Sequence, residues 1–131
     1  MAGFVAKWEF VAVENIDAYM VALGIPENLR EMAKTNQPSM EISQDGDTWT
    51  IKTTLADKVK ESSFKMGEEF DTKTLLGTDI KATITLEGDK MVETQKVGDS
   101  EVKIVREVSG DELTTNMTVN GVTSVAKFKR A

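Results

Sequence analysis

Ile80-Lys81-Ala82-Thr83-Ile84-Thr85-Leu86-Glu87-Gly88-Asp89 is the stretch that decides how this chain is read. Apolar and polar residues alternate along it up to a Gly-Asp pair. Similar turn signals return at Gly98-Asp99, Gly110-Asp111 and Asn120-Gly121, 10 to 12 residues apart, and an earlier one stands at Asp45-Gly46-Asp47. Gly and Asn supply the positive φ that short hairpins need, so the spacing predicts a meander of antiparallel strands joined by tight turns. A meander this long usually closes on itself, which makes the enclosed space the question that decides function.

Working outward, Phe4, Ala6, Trp8, Phe10 and Ala12 alternate with residues that include Lys7 and Glu9, the two-residue period of a half-buried strand. The period then changes. Ile16, Tyr19, Met20 and Leu23 fall at helical spacing, with Asn15 placed to cap the helix and Gly24 to end it. Pro26 suits the first turn of a second helix through about Thr35, with Leu29, Met32 and Ala33 on one side. After Pro38 strand signals take over: Met40-Glu41-Ile42, Trp49-Thr50-Ile51, Ile80 to Leu86, Val102 to Arg106 and Leu113 to Val119. About ten strands and two short helices predict a mainly β protein, one barrel capped by a helix pair, as a single domain over residues 1–131.

Composition removes several function classes. The chain has no Cys and no His, so it lacks disulfides, thiolate chemistry and the commonest general base at neutral pH. Glu68-Glu69 with Asp71, or Ser62-Ser63, could suggest catalysis, but neighbouring strand residues point to opposite faces and no histidine is present to assist. No spaced ligand loop for calcium is visible, and no metal site or cofactor is expected. The reading is a binding protein and not an enzyme. A net charge of -6 opposes nucleic acid as a partner. No apolar run approaches the roughly 20 residues of a membrane-spanning helix, and the first residues do not read as a secretory signal, so a cytoplasmic location is expected.

The strand over 101–109 bears on what the barrel holds. Its alternation puts Val102, Ile104, Arg106 and Val108 on one face and Lys103, Val105 and Glu107 on the other. Strand pattern alone leaves open which face is interior. With the first face inside, Arg106 would be a cation among aliphatic residues, needing a partner, a water or an incoming anion. With the other face inside, it is an ordinary surface charge.

Ala6-Lys7-Trp8-Glu9-Phe10 and Asn15-Ile16-Asp17-Ala18-Tyr19-Met20 resemble the signature of the intracellular lipid-binding proteins, in their fatty-acid-binding branch. The likeness continues through Met32-Ala33-Lys34, Phe64 to Asp71, Ala82 to Gly88, Gln95-Lys96, Val105-Arg106-Glu107 and Gly121-Val122-Thr123-Ser124. The resemblance implies a ten-stranded antiparallel up-and-down β-barrel, or clam, with a helix-turn-helix lid and one long-chain fatty acid inside. It also implies an inward arginine, here Arg106, joined by a second arginine and a tyrosine near the C-terminus. Ala126 and Phe128 stand at those two places, while Lys127 and Lys129 are one residue out of phase and should face solvent.

Burying ~14 methylenes is worth roughly 11 kcal/mol before entropy, at about 0.8 kcal/mol each. Losing two polar contacts weakens binding by roughly one to four decades, so a fatty-acid ligand remains the expectation. The resemblance further places Ile16, Tyr19, Met20 and Ala33 on the lid, with Pro38, Met40 and Thr53, near the cavity or its portal. Asp57 stands where a portal phenylalanine is common. Arg30 and Lys34 suggest transient membrane or membrane-protein contact through the lid, against Glu27 and Glu31 on the same helix. The alternatives are a lipid-responsive regulator of a membrane protein and a retinoid carrier. A monomer is expected, since closure leaves no long unpaired edge.

Overall fold

The computed structural model describes residues 2–35, 37–55, 58–73 and 79–131, at 2 and 33–35 by their backbone alone. A 3-10 turn at Ala2–Phe4 leads into β1 (Ala6–Glu14), followed by helices α1 (Ile16–Ala22) and α2 (Glu27–Thr35). Nine further strands complete the chain: β2 (Ser39–Asp45), β3 (Thr48–Leu55), β4 (Lys58–Lys65), β5 (Phe70–Lys73), β6 (Asp79–Glu87), β7 (Lys90–Val97), β8 (Ser100–Ser109), β9 (Glu112–Val119) and β10 (Val122–Arg130). All ten belong to one antiparallel sheet in the order β4-β3-β2-β1-β10-β9-β8-β7-β6-β5. Sequential neighbours pair except β4 and β5, and β1 joins β10, so the meander curls into a nearly closed barrel whose two ends are β4 and β5.

The turn signals act as their chemistry requires. Gly88, Gly98 and Gly110 have φ of 62, 59 and 62°, and Asn120 and Gly121 both lie in the left-handed region. Each stands between two strands that pair directly.

Two local expectations change. The alternation expected from Phe4 to Ala12 breaks, because Phe4 belongs to the 3-10 turn and β1 carries a bulge between Phe10 and Ala12. Phe10 pairs with Phe128, whereas Ala12 pairs with outward Lys127 and Val13 with inward Ala126. The extra residue reverses the phase, so Ala12 is exposed and Val13 turns in. Asn15 does precede α1, but with φ 59° and no side-chain cap. Its amide instead donates to the Thr123 carbonyl of β10 at 2.9 Å, fastening the lid to the barrel. At the other end of α1, Gly24 N–H reaches the Val21 carbonyl and Ile25 N–H the Met20 carbonyl, the paired bonds of a glycine-terminated helix.

The core has two parts. One gathers Phe4, Trp8, Met40, Ile42, Trp49, Phe64, Ile84, Met91, Leu113 and Phe128 inside the barrel. The other gathers Tyr19 and Met20 of α1 with Val102, Ile104 and Val119 under the lid. Met117 touches both.

Candidate functional site

Between those two apolar clusters lies a polar layer. Along β7 the inward residues run Met91, Glu93, Gln95; along β8, Val102, Ile104, Arg106; along β9, Leu113, Thr115, Met117. Glu93, Gln95, Arg106 and Thr115 are all buried, Glu93 at 4% and Arg106 at 8% exposure. Register accounts for the clustering. Arg106 is opposite Met91 on one side and Thr115 on the other, so Glu93, two residues along β7, is its diagonal neighbour.

Arg106 therefore faces inward, and its partner comes from the protein. Its Nη1 donates to Glu93 Oε1 at 2.8 Å, and the Gln95 amide donates to Glu93 Oε2. Burial pushes the Glu93 carboxyl up. The Arg106 charge, the two hydrogen bonds and the Lys60 charge outweigh it and hold Glu93 below the ordinary carboxylate value. Sequence reading missed Glu93 because β7 carries polar side chains inward and Val92 on its other face, which cancels the usual alternation signal.

The pair leaves chemistry unused. Among the described residues Arg106 Nε and Thr115 Oγ1 are buried without a hydrogen-bond partner, and they belong to residues that face each other across β8 and β9. Buried, unpartnered polar atoms of this kind suit a ligand or water bearing an oxygen. A pocket that Arg106 reaches is lined by Thr53, Lys60, Ser62, Thr72, Glu93 and Arg106, with Ile51, Phe64, Phe70 and Ile84 as apolar wall. It offers about 30 Å³, room for about two water molecules and so for a head group, not a chain.

The remaining residues singled out above take these places. Ala126 and Phe128 are buried in the barrel cluster, Ala126 opposite Thr115 and Phe128 edge-on to Phe10 at 6.0 Å between ring centres. Lys127 and Lys129 are exposed. Met40 lies in the same cluster, Thr53 lines the polar pocket, and Pro38 is half-buried just before β2. Tyr19 and Met20 are buried on the underside of the lid, and Ile16 packs against the cluster they form with Val102, Ile104 and Val119. Desolvation raises the Tyr19 hydroxyl to about 12, with Glu93 adding to the shift and Arg106 opposing it, so the lid is electrically coupled to the polar layer. The side chain of Ala33, that of Lys34, and Asp57 lie outside the described residues. Arg30 does not present a free basic group on the lid: its Nη1 donates to the Ile25 carbonyl at 2.6 Å and its Nε lies 3.7 Å from Asp17.

Ser62 and Ser63, weighed as nucleophiles, hydrogen-bond instead to Thr72 and Thr50. Glu69 and Asp71 sit opposite Lys96 and Lys81 at 3.9 and 3.1 Å.

A lidded, nearly closed barrel with a charged pair walled up between two apolar clusters defines a small intracavity-binding protein. The chain belongs to the lipocalin / cytosolic fatty-acid binding protein family, whose profile matches residues 1–131. It is 38% identical over 131 residues to a fatty acid-binding protein of Schistosoma japonicum, covering 99% of both chains. It is 37% identical to the sodium/calcium exchanger regulatory protein 1 of Doryteuthis pealeii, covering 98% of this chain and 97% of that one. Among solved structures it resembles the Schistosoma mansoni fatty acid binding protein in complex with arachidonic acid, with a TM-score of 0.96 and 36% identity over all of this chain and 98% of the other.

Proposed function

We propose that this chain is a carrier of long-chain fatty acids, holding one molecule in the barrel with its carboxylate towards Arg106. The observation that carries the reading is the inward guanidinium whose Nε has no partner among the described residues, beside the free hydroxyl of Thr115. The tail would lie among Phe10, Val13, Leu86 and Met117, which strand phase turns inward yet which remain only half-buried. Tyr19, Met20, Ile16 and Ala33 would close the lid end, with Pro38, Met40 and Thr53 along the wall. The chain would act as one domain, monomeric, cytoplasmic, without a cofactor and without catalytic activity. Names of the fatty acid-binding relatives support the ligand class.

Ala126 stands two strands from Arg106 in the same cross-barrel row, about 10 Å by ordinary strand spacing. An arginine there could converge on the same carboxylate. Titration of a fluorescent fatty acid into this chain and into the Ala126→Arg, Phe128→Tyr variant tests the reading. Binding by the unmodified chain and a gain of about tenfold or more in the variant are expected. A chain that binds no fatty acid overturns the carrier reading, and a variant without gain removes the C-terminal pair from the anchor.

The exchanger regulatory relative supports a second role, in which cargo alters the lid surface presented to a membrane protein. Equal partner affinity with and without lipid removes it.

A further inference from the structure

The head-group end needs more positive charge than Arg106 offers a ligand. Its Nη1 is already engaged by Glu93, so a fatty-acid carboxylate arriving beside the pair meets a like charge. The residues at 126 and 128 are an alanine and a phenylalanine, and the lysines between and after them face outward.

A second cation enters the pocket from across the barrel. On β4 the alternation turns Lys60, Ser62 and Phe64 towards the interior, while Val59, Glu61 and Ser63 are exposed. Lys60 lines the same pocket as Glu93 and Arg106. Among the described residues no carboxylate lies within ion-pair distance of its ammonium, although Lys7, Lys73, Lys81, Lys96 and Lys129 each have one. Desolvation lowers its pKa, the Glu93 charge acts against that and the Arg106 charge adds to it, so the three groups share one electrostatic environment. Their charges sum to one positive unit when Lys60 is protonated, which a single monocarboxylate neutralises.

Resting on the carrier reading, we propose that Lys60 is the second cation of the head-group site, holding the carboxylate of a bound fatty acid opposite Arg106 where Ala126 supplies no charge. Lys60 lies on β4, one of the two sheet ends, whereas Arg106 lies on β8, and the two side chains meet at the one pocket they both line.

Oleate and oleyl alcohol share a chain and differ at the head, and they separate a charge contact from packing. Each is titrated, by displacement of a fluorescent probe, into the unmodified chain, Lys60→Met and Lys60→Arg. Lys60→Met should weaken oleate by about ten- to a hundredfold and change oleyl alcohol by less than about threefold, while Lys60→Arg keeps most of the oleate affinity. Intact alcohol binding shows that the variant is folded. Equal loss of both lipids, or no loss of oleate, overturns the role of Lys60 while leaving the carrier reading in place. An unmodified chain that binds neither lipid overturns the carrier reading first.

Discussion

Phe64 of β4 and Phe70 of β5 stack almost parallel, 13° apart with ring centres at 5.2 Å, across the seam between the two ends of the sheet. Ser62 and Thr72 add a hydroxyl contact of 2.6 Å across the same seam. Elsewhere the barrel wall is held by backbone ladders; here side chains bridge it. A side-chain bridge is easier to open than a ladder, and it lines the same pocket as Arg106 and Lys60.

Phe70→Ala should therefore loosen the seam selectively. Phe70 is only half-buried, so a loss of about 2–3 kcal/mol is expected, at or below the range for a fully buried phenylalanine. Denaturant unfolding measures the loss. Hydrogen exchange should quicken in β4 and β5 while β8 and β9 keep their protection, and uniform quickening would contradict a local seam.

Glu93 should set both acid stability and the affinity for a carboxylate ligand. Its folded pKa lies below the unfolded 4.5, so the unfolded state binds more protons in that interval. Its contribution is present above pH about 4.5 and is lost as pH falls through the folded value. Glu93→Gln should cost about 2–5 kcal/mol at neutral pH, because Arg106 is left as an uncompensated buried charge, and should flatten the acid limb of the stability curve. Replacing both partners, Glu93→Leu with Arg106→Met, should cost less than Glu93→Gln alone. Glu93→Gln should also bind fatty acid more tightly, since the competing carboxylate is gone. An unchanged acid limb would show that the pair does not set acid stability.

Asn15 is a separate test of how the lid is fastened. It combines a left-handed backbone with the hydrogen bond to Thr123. Asn15→Gly should lose only the bond, about 0.5–1.5 kcal/mol, whereas Asn15→Ala should lose about 1–2 kcal/mol more through φ strain. Thermal unfolding that ranks the alanine variant at or above the glycine variant would contradict this.

The barrel was legible because hairpin glycines must stand where the backbone turns left-handed, and Gly88, Gly98, Gly110 and Gly121 do so. Arg106 could be placed on a face but not inside, since one strand's alternation does not say which face is covered. Glu93 and Lys60 were illegible for a shared reason. β7 and β4 carry polar residues on their inward faces, with Val92 and Val59 turned the other way, so the hydrophobic pattern points the wrong way where the pocket is polar. The phase change in β1 was hidden too, because a bulge adds a residue without any required side chain. Local period marked the strands; the polar interior appeared only once facing strands were in register.

Tyr19 offers a readout of that interior, because it is the only tyrosine in the chain. Its hydroxyl is raised from 10.0 to about 12, first by burial and then by the Glu93 charge, with Arg106 acting in the opposite sense. For an acid whose folded pKa is raised, the associated stability is complete below pH about 10 and is lost as pH rises through about 12. That is worth about 2–3 kcal/mol across the interval, at about 1.4 kcal/mol per unit. Tyrosinate absorbance should therefore stay silent until well above pH 10 and develop near 12, and Tyr19→Phe should reduce the alkaline slope of stability. Glu93→Gln should move the midpoint down, since the nearby negative charge is gone, while Arg106→Met should move it up. A midpoint near 10 in the unmodified chain would show that the hydroxyl is not desolvated, and one that does not respond to Glu93→Gln would show that the lid and the polar layer are not electrically coupled.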